Sequence, residues 1–315
     1  MSEKFKSNLI NGEWIENGSQ FMSVNPSDIS DQIGPFYEAT ENDCHLAISS
    51  ARNAFKLWSQ SQLEERKKIL DQIGDALINN SQEIGKLIAR EEGKTVAEGA
   101  GEVYRSGQFF QYFGAEVLRQ MGEVTTSVRP NIDIEVTREP LGVIGVITPW
   151  NFPVAVAAWK IAPAIAFGNS VVLKPSEIVP ASASAFAEII HQSELPDGVF
   201  NCVQGSGDVG QIITNSKNID GISFTGSVRT GKQIAQNAMN NMVRIQMEMG
   251  SKNALVVLND ANIETAVQCA INGAFFGTGQ KCTASSRLIV EDKIHDDFVA
   301  ALTEATKALV VGHAL

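Results

Sequence analysis

From Leu141 onward four short apolar runs alternate with helix-forming stretches, and this alternation restricts the possible fold more than any other feature of the chain. The runs are 141–148 (LGVIGVIT), 170–174 (SVVLK), 199–203 (VFNCV) and 219–225 (IDGISFT). Alanine-rich or amphipathic stretches near 156–168, 180–192, 208–215 and 228–240 follow them in turn. Strand and helix in alternation predict a parallel sheet with helices on both faces, the architecture of nucleotide-binding domains. Ligands of such sheets sit beyond the carboxyl ends of the strands, so the residues just after each run are the ones to inspect.

Before this series, residues 8–36 mix short apolar pieces with the turn pairs Asn11-Gly12, Asn25-Pro26 and Gly34-Pro35, an opening of strands and loops. From Glu41 to about Met121 apolar positions such as Ala47, Ile48, Ala51 and Phe55 fall three or four apart, which predicts several helices in succession. Glu41, Asn42 and Asp43 supply acidic and capping side chains at the first helix start. Between 123 and 140 the period drops to two around Pro130-Asn131, predicting a hairpin. An isolated ribbon with half its residues apolar needs a partner surface, so it reads as a subunit-contact arm.

After Lys252 a second strand and helix series runs through 253–258, 263–276, 287–290 and 293–309. Two central strands in roughly 64 residues are too few for a doubly covered sheet. The expected organisation is therefore α/β. A Rossmann-like, nucleotide-binding parallel-sheet domain takes 1–122 and 141–250, an oligomerisation hairpin protrudes at 123–140, and 251–315 is the N-terminal, incomplete part of a second α/β domain.

The net charge of -11 argues against nucleic acid or an anionic membrane as the main partner, since both require a basic patch. No run reaches 18 apolar residues and the polar N-terminus has no signal-peptide core, so a cytoplasmic protein is expected. Cys44, Cys202, Cys269 and Cys282 show no CxxC spacing and are expected as reduced thiols. His45, His191, His295 and His313 form no pair at zinc spacing, and no metal is expected.

Chemistry-bearing residues gather after the strands. In 148–153 (TPWNFP) Asn151 lies in a loop with Pro149 and Pro153, a rigid amide donor suited to an oxyanion; a turn asparagine bonding its own backbone fits the same pattern. Lys174, Ser176 and Glu177 close the next strand, where a lysine and a carboxylate suit ribose hydroxyls; Ser176 and Glu177 also suit a helix start. Residues 224–233 (FTGSVRTGKQ) open a helix whose amides suit a pyrophosphate. The embedded GxxxxGK is followed by Gln233 rather than Ser or Thr, which disfavours a nucleoside triphosphatase. Glu248, in 247–251 (MEMGS), reads as a partly buried general base, with a hinge carboxylate as the competing explanation. Cys282 sits in the glycine-flanked turn 275–286 (FFGTGQKCTASS) beside Lys281, where a nucleophile would be displayed; an inert buried cysteine is the alternative. No histidine stands in a loop suited to make it a cysteine hydrolase.

Taken together and in this order, TPWNFP, LKPSE, FTGS with GxxxxG, MEMGSKN and GQKCTA resemble the aldehyde dehydrogenase superfamily along essentially the whole chain. The resemblance implies that Cys282 attacks an aldehyde carbon while Asn151 and the Cys282 N–H hold the oxyanion. Hydride then passes to NAD or NADP, and a water activated by Glu248 hydrolyses the thioester. It also implies cofactor contacts at Thr148, Trp150, Lys174, Ser176, Glu177, Gly207, Phe224, Thr225, Gly226 and Ser227. Family members continue well past position 315, with a second glutamate near the nicotinamide ribose, so a fragment of a longer, homo-oligomeric enzyme (dimer or tetramer) is expected. The glutamate segment departs from the family's usual ELGG, with Ser251 in the last position. The run 102–114 (EVYRSGQFFQYFG) is most similar to the 2,5-dioxopentanoate dehydrogenases. That likeness makes Phe152, Trp159 and Arg105 candidates for the substrate passage, and 2,5-dioxopentanoate the expected aldehyde. Succinate semialdehyde, another aldehyde, or an inactive dinucleotide-binding fragment are the alternatives.

Overall fold

The computed structural model describes residues 5–119 and 122–315. Near the N-terminus come β1 (Asn8–Ile10), β2 (Glu13–Ile15), β3 (Gln20–Val24) and β4 (Gln32–Tyr37). Four helices follow, α1 (Glu41–Trp58), α2 (Leu63–Asn79), α3 (Ser81–Glu92) and α4 (Val96–Glu116), and the end expected near Met121 lies outside the described residues. The predicted hairpin is β5 (Glu123–Thr126) paired antiparallel with β6 (Asp133–Val136).

The alternating series then appears as expected: β7 (Val143–Ile147), α5 (Ala155–Ala166), β8 (Ser170–Lys174), α6 (Pro180–His191), β9 (Phe200–Cys202), α7 (Gly207–Asn215), β10 (Gly221–Gly226) and α8 (Val228–Asn240). It closes on β11 (Arg244–Met249), a strand that the sequence pattern did not disclose. Strand order is β11-β10-β7-β8-β9-β1-β2, parallel from β11 to β9 and antiparallel at the β1–β2 edge.

Two hydrophobic cores sandwich this sheet because successive strand residues point to opposite faces. Ile144 and Val146 join one core with Val103, Phe110, Ile161 and Phe186. Val143 and Ile147 join the other with Ala47, Ile48, Ile213 and Ile234. Helices α2 to α6 thus cover one face, and α1, α7 and α8 the other. Helices α3 and α4 cross closely because Gly85 meets Gly99, where an added Cβ would run into the Gly85 carbonyl.

The second unit is β12 (Asn253–Val257), α9 (Ile263–Phe275), β13 (Ser285–Val290) and α10 (His295–Lys307), with β12 and β13 parallel and a core of its own around Val257, Val267, Ile271 and Phe298. The capping expected from residues 41–43 falls one residue earlier: Thr40 is the N-cap of α1, and Asp43 completes a capping box with it.

Candidate active site

The strand ends of β7, β8 and β10 open onto one cleft of about 340 Å³. Thr148, Trp150, Lys174, Ser176, Glu177, Gly207, Phe224, Thr225, Gly226 and Ser227 all line it, so every residue expected at the cofactor is brought to a single cavity. Two helix N-termini, α7 at Gly207 and α8 at Val228, present backbone amides there, and Ser227 caps α8 by accepting from Thr230 N at 3.1 Å. Among the described residues the Oγ1 atoms of Thr148 and Thr225 are buried without a hydrogen-bond partner, unusual for buried polar atoms and fitting a bound polar ligand. Lys174 Nζ pairs with Glu177 Oε2 at 3.1 Å, and burial pulls the Lys174 ammonium pKa down. Lys174 is the last residue of β8 and Glu177 lies in the loop after it, ahead of α6, which starts at Pro180, so Glu177 is not in the helix's first turn.

Cys282 occupies an exposed turn between a short 3-10 turn (276–279) and β13. Gly277, Thr278 and Gly279 all have left-handed backbone (φ 61°, 55° and 74°), a conformation that favours glycine and is uncommon for threonine. Asn253 Nδ2 pins the turn through the Cys282 carbonyl at 2.6 Å and the Ala284 carbonyl at 3.2 Å. The Cys282 main-chain N–H has no acceptor among the described residues. Lys281 lies over the Phe276 ring, 4.5 Å from its centroid.

Asn151 reaches this turn: its Nδ2 donates to the Gln280 carbonyl at 2.7 Å. The loop from Asn151 to Ala155 is itself held by an ion pair that sequence reasoning missed. Lys94 Nζ donates to the Asn151 carbonyl and to Glu102 Oε2, each at 2.7 Å, and lies 3.9 Å from the Phe152 ring centroid. The sequence signal available was Gly93-Lys94 just past a helix, since Gly93 caps α3 in left-handed conformation (φ 92°).

Glu248 is exposed, which corrects the expectation of partial burial. It lies on β11, which pairs only with β10 among the described residues and so forms one edge of the sheet. Its Oε1 accepts from Gln246 Nε2 at 2.9 Å. Together with Trp159, Pro163 and Ser223 it lines a second cleft of about 350 Å³. Lys160, also missed in the sequence, lines the same cleft and donates to Ser223 Oγ at 2.9 Å and Gln246 Oε1 at 3.0 Å. Burial pulls the Lys160 ammonium down to about 8, against the attraction of Glu248.

Among the substrate candidates, Trp159 stacks edge-on with Phe109 at 6.1 Å. Arg105 is exposed and bonds Gln108 at 3.0 Å, one helical turn before Phe109, and it lines neither cleft. Among the described residues no hydrogen bond joins Glu248 to Cys282 or to Asn151, so the structure brings Asn151 to the cysteine turn and groups Glu248 with Trp159.

A doubly wound sheet with a cleft at its strand ends, and an exposed cysteine in a turn tied to the Asn151 amide, is the layout of nucleotide-binding folds that carry a cysteine at the sheet's edge. The chain belongs to the aldehyde dehydrogenase family, whose sequence profile matches residues 14–315. It is 38% identical over 311 residues to an alpha-ketoglutaric semialdehyde dehydrogenase of Bacillus subtilis (strain 168), covering 98% of this chain and 64% of that protein. A betaine aldehyde dehydrogenase of the same organism is 40% identical over 310 residues, covering 97% of this chain and 63% of the relative. The crystal structure of betaine aldehyde dehydrogenase from Staphylococcus aureus in complex with NAD+ superposes with a TM-score of 0.96 at 36% identity, covering 99% of this chain and 63% of that one. The chain thus spans under two thirds of the length of these relatives. Among its described residues no helix is long and apolar enough to cross a membrane.

Proposed function

We propose that the chain carries the cofactor site and nucleophile of an NAD(P)-dependent dehydrogenase that oxidises an aldehyde to a carboxylic acid, with 2,5-dioxopentanoate going to 2-oxoglutarate. The observation that carries this reading is the Asn151 side chain bonded to the Gln280 carbonyl, two residues before Cys282. On this reading the Cys282 thiolate adds to the aldehyde carbon. The second Asn151 N–H and the Cys282 N–H receive the oxygen as it becomes negative. A nicotinamide dinucleotide bound in the strand-end cleft supplies the hydride acceptor. Glu248 then takes a proton from the water that releases the acid from the Cys282 thioester.

The strand-end cleft fits the dinucleotide, with the α7 and α8 N-termini at its pyrophosphate and the Lys174–Glu177 pair at a ribose. The sheet unit thus holds the cofactor, the β12–β13 unit carries the nucleophile, and the exposed β5–β6 hairpin joins subunits. The name of the semialdehyde dehydrogenase relative supports a carboxylated substrate, and the betaine aldehyde relative sets the competing reading. The test is a single-turnover mix of the chain with NAD+ or NADP+ and either 2,5-dioxopentanoate or betaine aldehyde. A burst of reduced nicotinamide that is absent in Cys282→Ala supports the chemistry, and a burst with betaine aldehyde alone overturns the substrate.

A further inference from the structure

Lys94 is 2% exposed, a position where an ammonium is costly to hold. Two buried carboxylates surround it: Glu102 Oε2 at 2.7 Å and Glu92 Oε2 at 3.9 Å. Buried ion pairs add little net stability over an apolar replacement, so the geometry that this cluster imposes is its notable consequence. That geometry covers a continuous stretch of main chain. Lys94 Nζ takes the Asn151 carbonyl and lies over the Phe152 ring, while Glu102 Oε1 accepts from Val154 N at 2.9 Å and Ala155 N at 3.1 Å. Asn151 is therefore clamped twice, by Lys94 at its carbonyl and by the Gln280 carbonyl at its amide. Glu92 extends the cluster to the cysteine turn, since its Oε1 accepts from Gln280 Nε2 at 3.4 Å.

We propose that Lys94, with Glu102 as its counter-ion, is a positioning residue that sets the Asn151 amide against an oxyanion formed on Cys282. This rests on the reading of Asn151 as the oxyanion donor. Without the ammonium the half-buried Asn151 carbonyl loses its donor, and the peptide rotates to find another. That rotation swings the Asn151 side chain and the Phe152 ring off their places. Misplacing such a donor by an ångström slows the step it serves by about ten- to a hundredfold.

Two reagents that meet the same sulfur separate positioning from general damage. p-Nitrophenyl acetate acylates Cys282 through a tetrahedral oxyanion: the S–C bond forms, and the C–O bond breaks to release p-nitrophenolate. Iodoacetamide alkylates the sulfur by direct displacement of iodide and forms no oxyanion. In the 315-residue chain, Lys94→Met is expected to slow Cys282-dependent acylation about tenfold or more, as Asn151→Ala does, with alkylation within about twofold of the unsubstituted chain. Lys94→Arg, which keeps charge and donors, recovers part of the loss. Unchanged acylation in Lys94→Met, or equal loss in both reactions, overturns the proposal. Absence of Cys282-dependent acylation in the unsubstituted chain, or normal acylation in Asn151→Ala, overturns it too. If Lys94→Met shows no cooperative melt, Glu102→Gln, which keeps an acceptor for the 154–155 amides, is judged by the same two rates. Failure of nicotinamide reduction alone bears on the dehydrogenase reading and leaves these rates to decide the positioning role.

Discussion

The side-chain amide of Asn151 donates to the main-chain carbonyl of Gln280 at 2.7 Å, tying the loop after β7 to the turn that presents Cys282. A carboxamide has two N–H groups, and this bond uses one and fixes the direction of the other. Asn151→Ala removes the donor while leaving the Lys94 bond to the main chain. The expected result is a reductive burst slowed about a hundredfold or more, with dinucleotide binding unchanged, because on the proposed reading the residue serves charge that develops only during reaction. Rapid-mixing fluorescence of reduced nicotinamide reads the first quantity and a cofactor titration the second.

Lys160 carries the pH dependence that the structure predicts most directly. Burial holds its ammonium at about 8, below the roughly 10.4 of an exposed lysine. Between those values the unfolded chain binds more protons than the folded one, so the contribution of Lys160 to stability rises with pH across that window. Below about 8 the cost of keeping the buried ammonium charged is fully present. Urea unfolding of the unsubstituted chain and Lys160→Met from about pH 7 to pH 10 should give a stability difference that shifts in favour of lysine with rising pH. A difference constant over that range would mean that the amine titrates as if exposed.

What was legible in the sequence follows from how far each signal reaches. The strand-end cleft was legible because a βα repeat places the residues after Ile147, Lys174 and Phe224 at one edge of a parallel sheet whatever the details of packing. Cys282 and Asn151 stood in loops whose composition marks a display site. Glu248 was misjudged because local sequence does not tell an edge strand from a central one: Met247 and Met249 suggest burial, and only the order of strands shows that β11 has one neighbour. Lys94 and Lys160 were missed because a lysine in a helical region reads as solvated, and its burial depends on Glu102, eight residues on, or Gln246, in another element.

The hairpin exposes two apolar side chains on one face. Ile134 and Val136 are two residues apart on β6 and so share one side of the ribbon, where both are exposed. Opposite them lie Thr125 and Glu123. If this face meets a second subunit, Ile134→Lys with Val136→Lys places two charges in the contact without disturbing a core. The expected outcome is a sedimentation coefficient reduced to that of a smaller assembly, with an unchanged melting temperature for the sheet unit. An unchanged coefficient would assign assembly to another surface.

With a dinucleotide seated in the strand-end cleft as proposed, Glu177 is expected to bias the choice between NAD+ and NADP+. Its Oε2 lies 3.1 Å from Lys174 Nζ at the end of β8, so the lysine's charge is largely committed to it. A 2′-phosphate placed there meets the carboxylate's negative charge and a cation already paired, whereas a ribose hydroxyl finds an acceptor in the same carboxylate. Glu177→Ser frees the ammonium and removes the repulsion together. The ratio of kcat/KM for NADP+ to that for NAD+ is therefore expected to rise about tenfold or more, a change of about 1.4 kcal/mol in relative transition-state binding. Lys174→Met in the Glu177→Ser background should reverse most of that gain, because the phosphate then loses its cation. A ratio that stays where it was in both variants would place the ribose away from the Lys174–Glu177 pair, and the cofactor's orientation in the cleft would have to be reassigned.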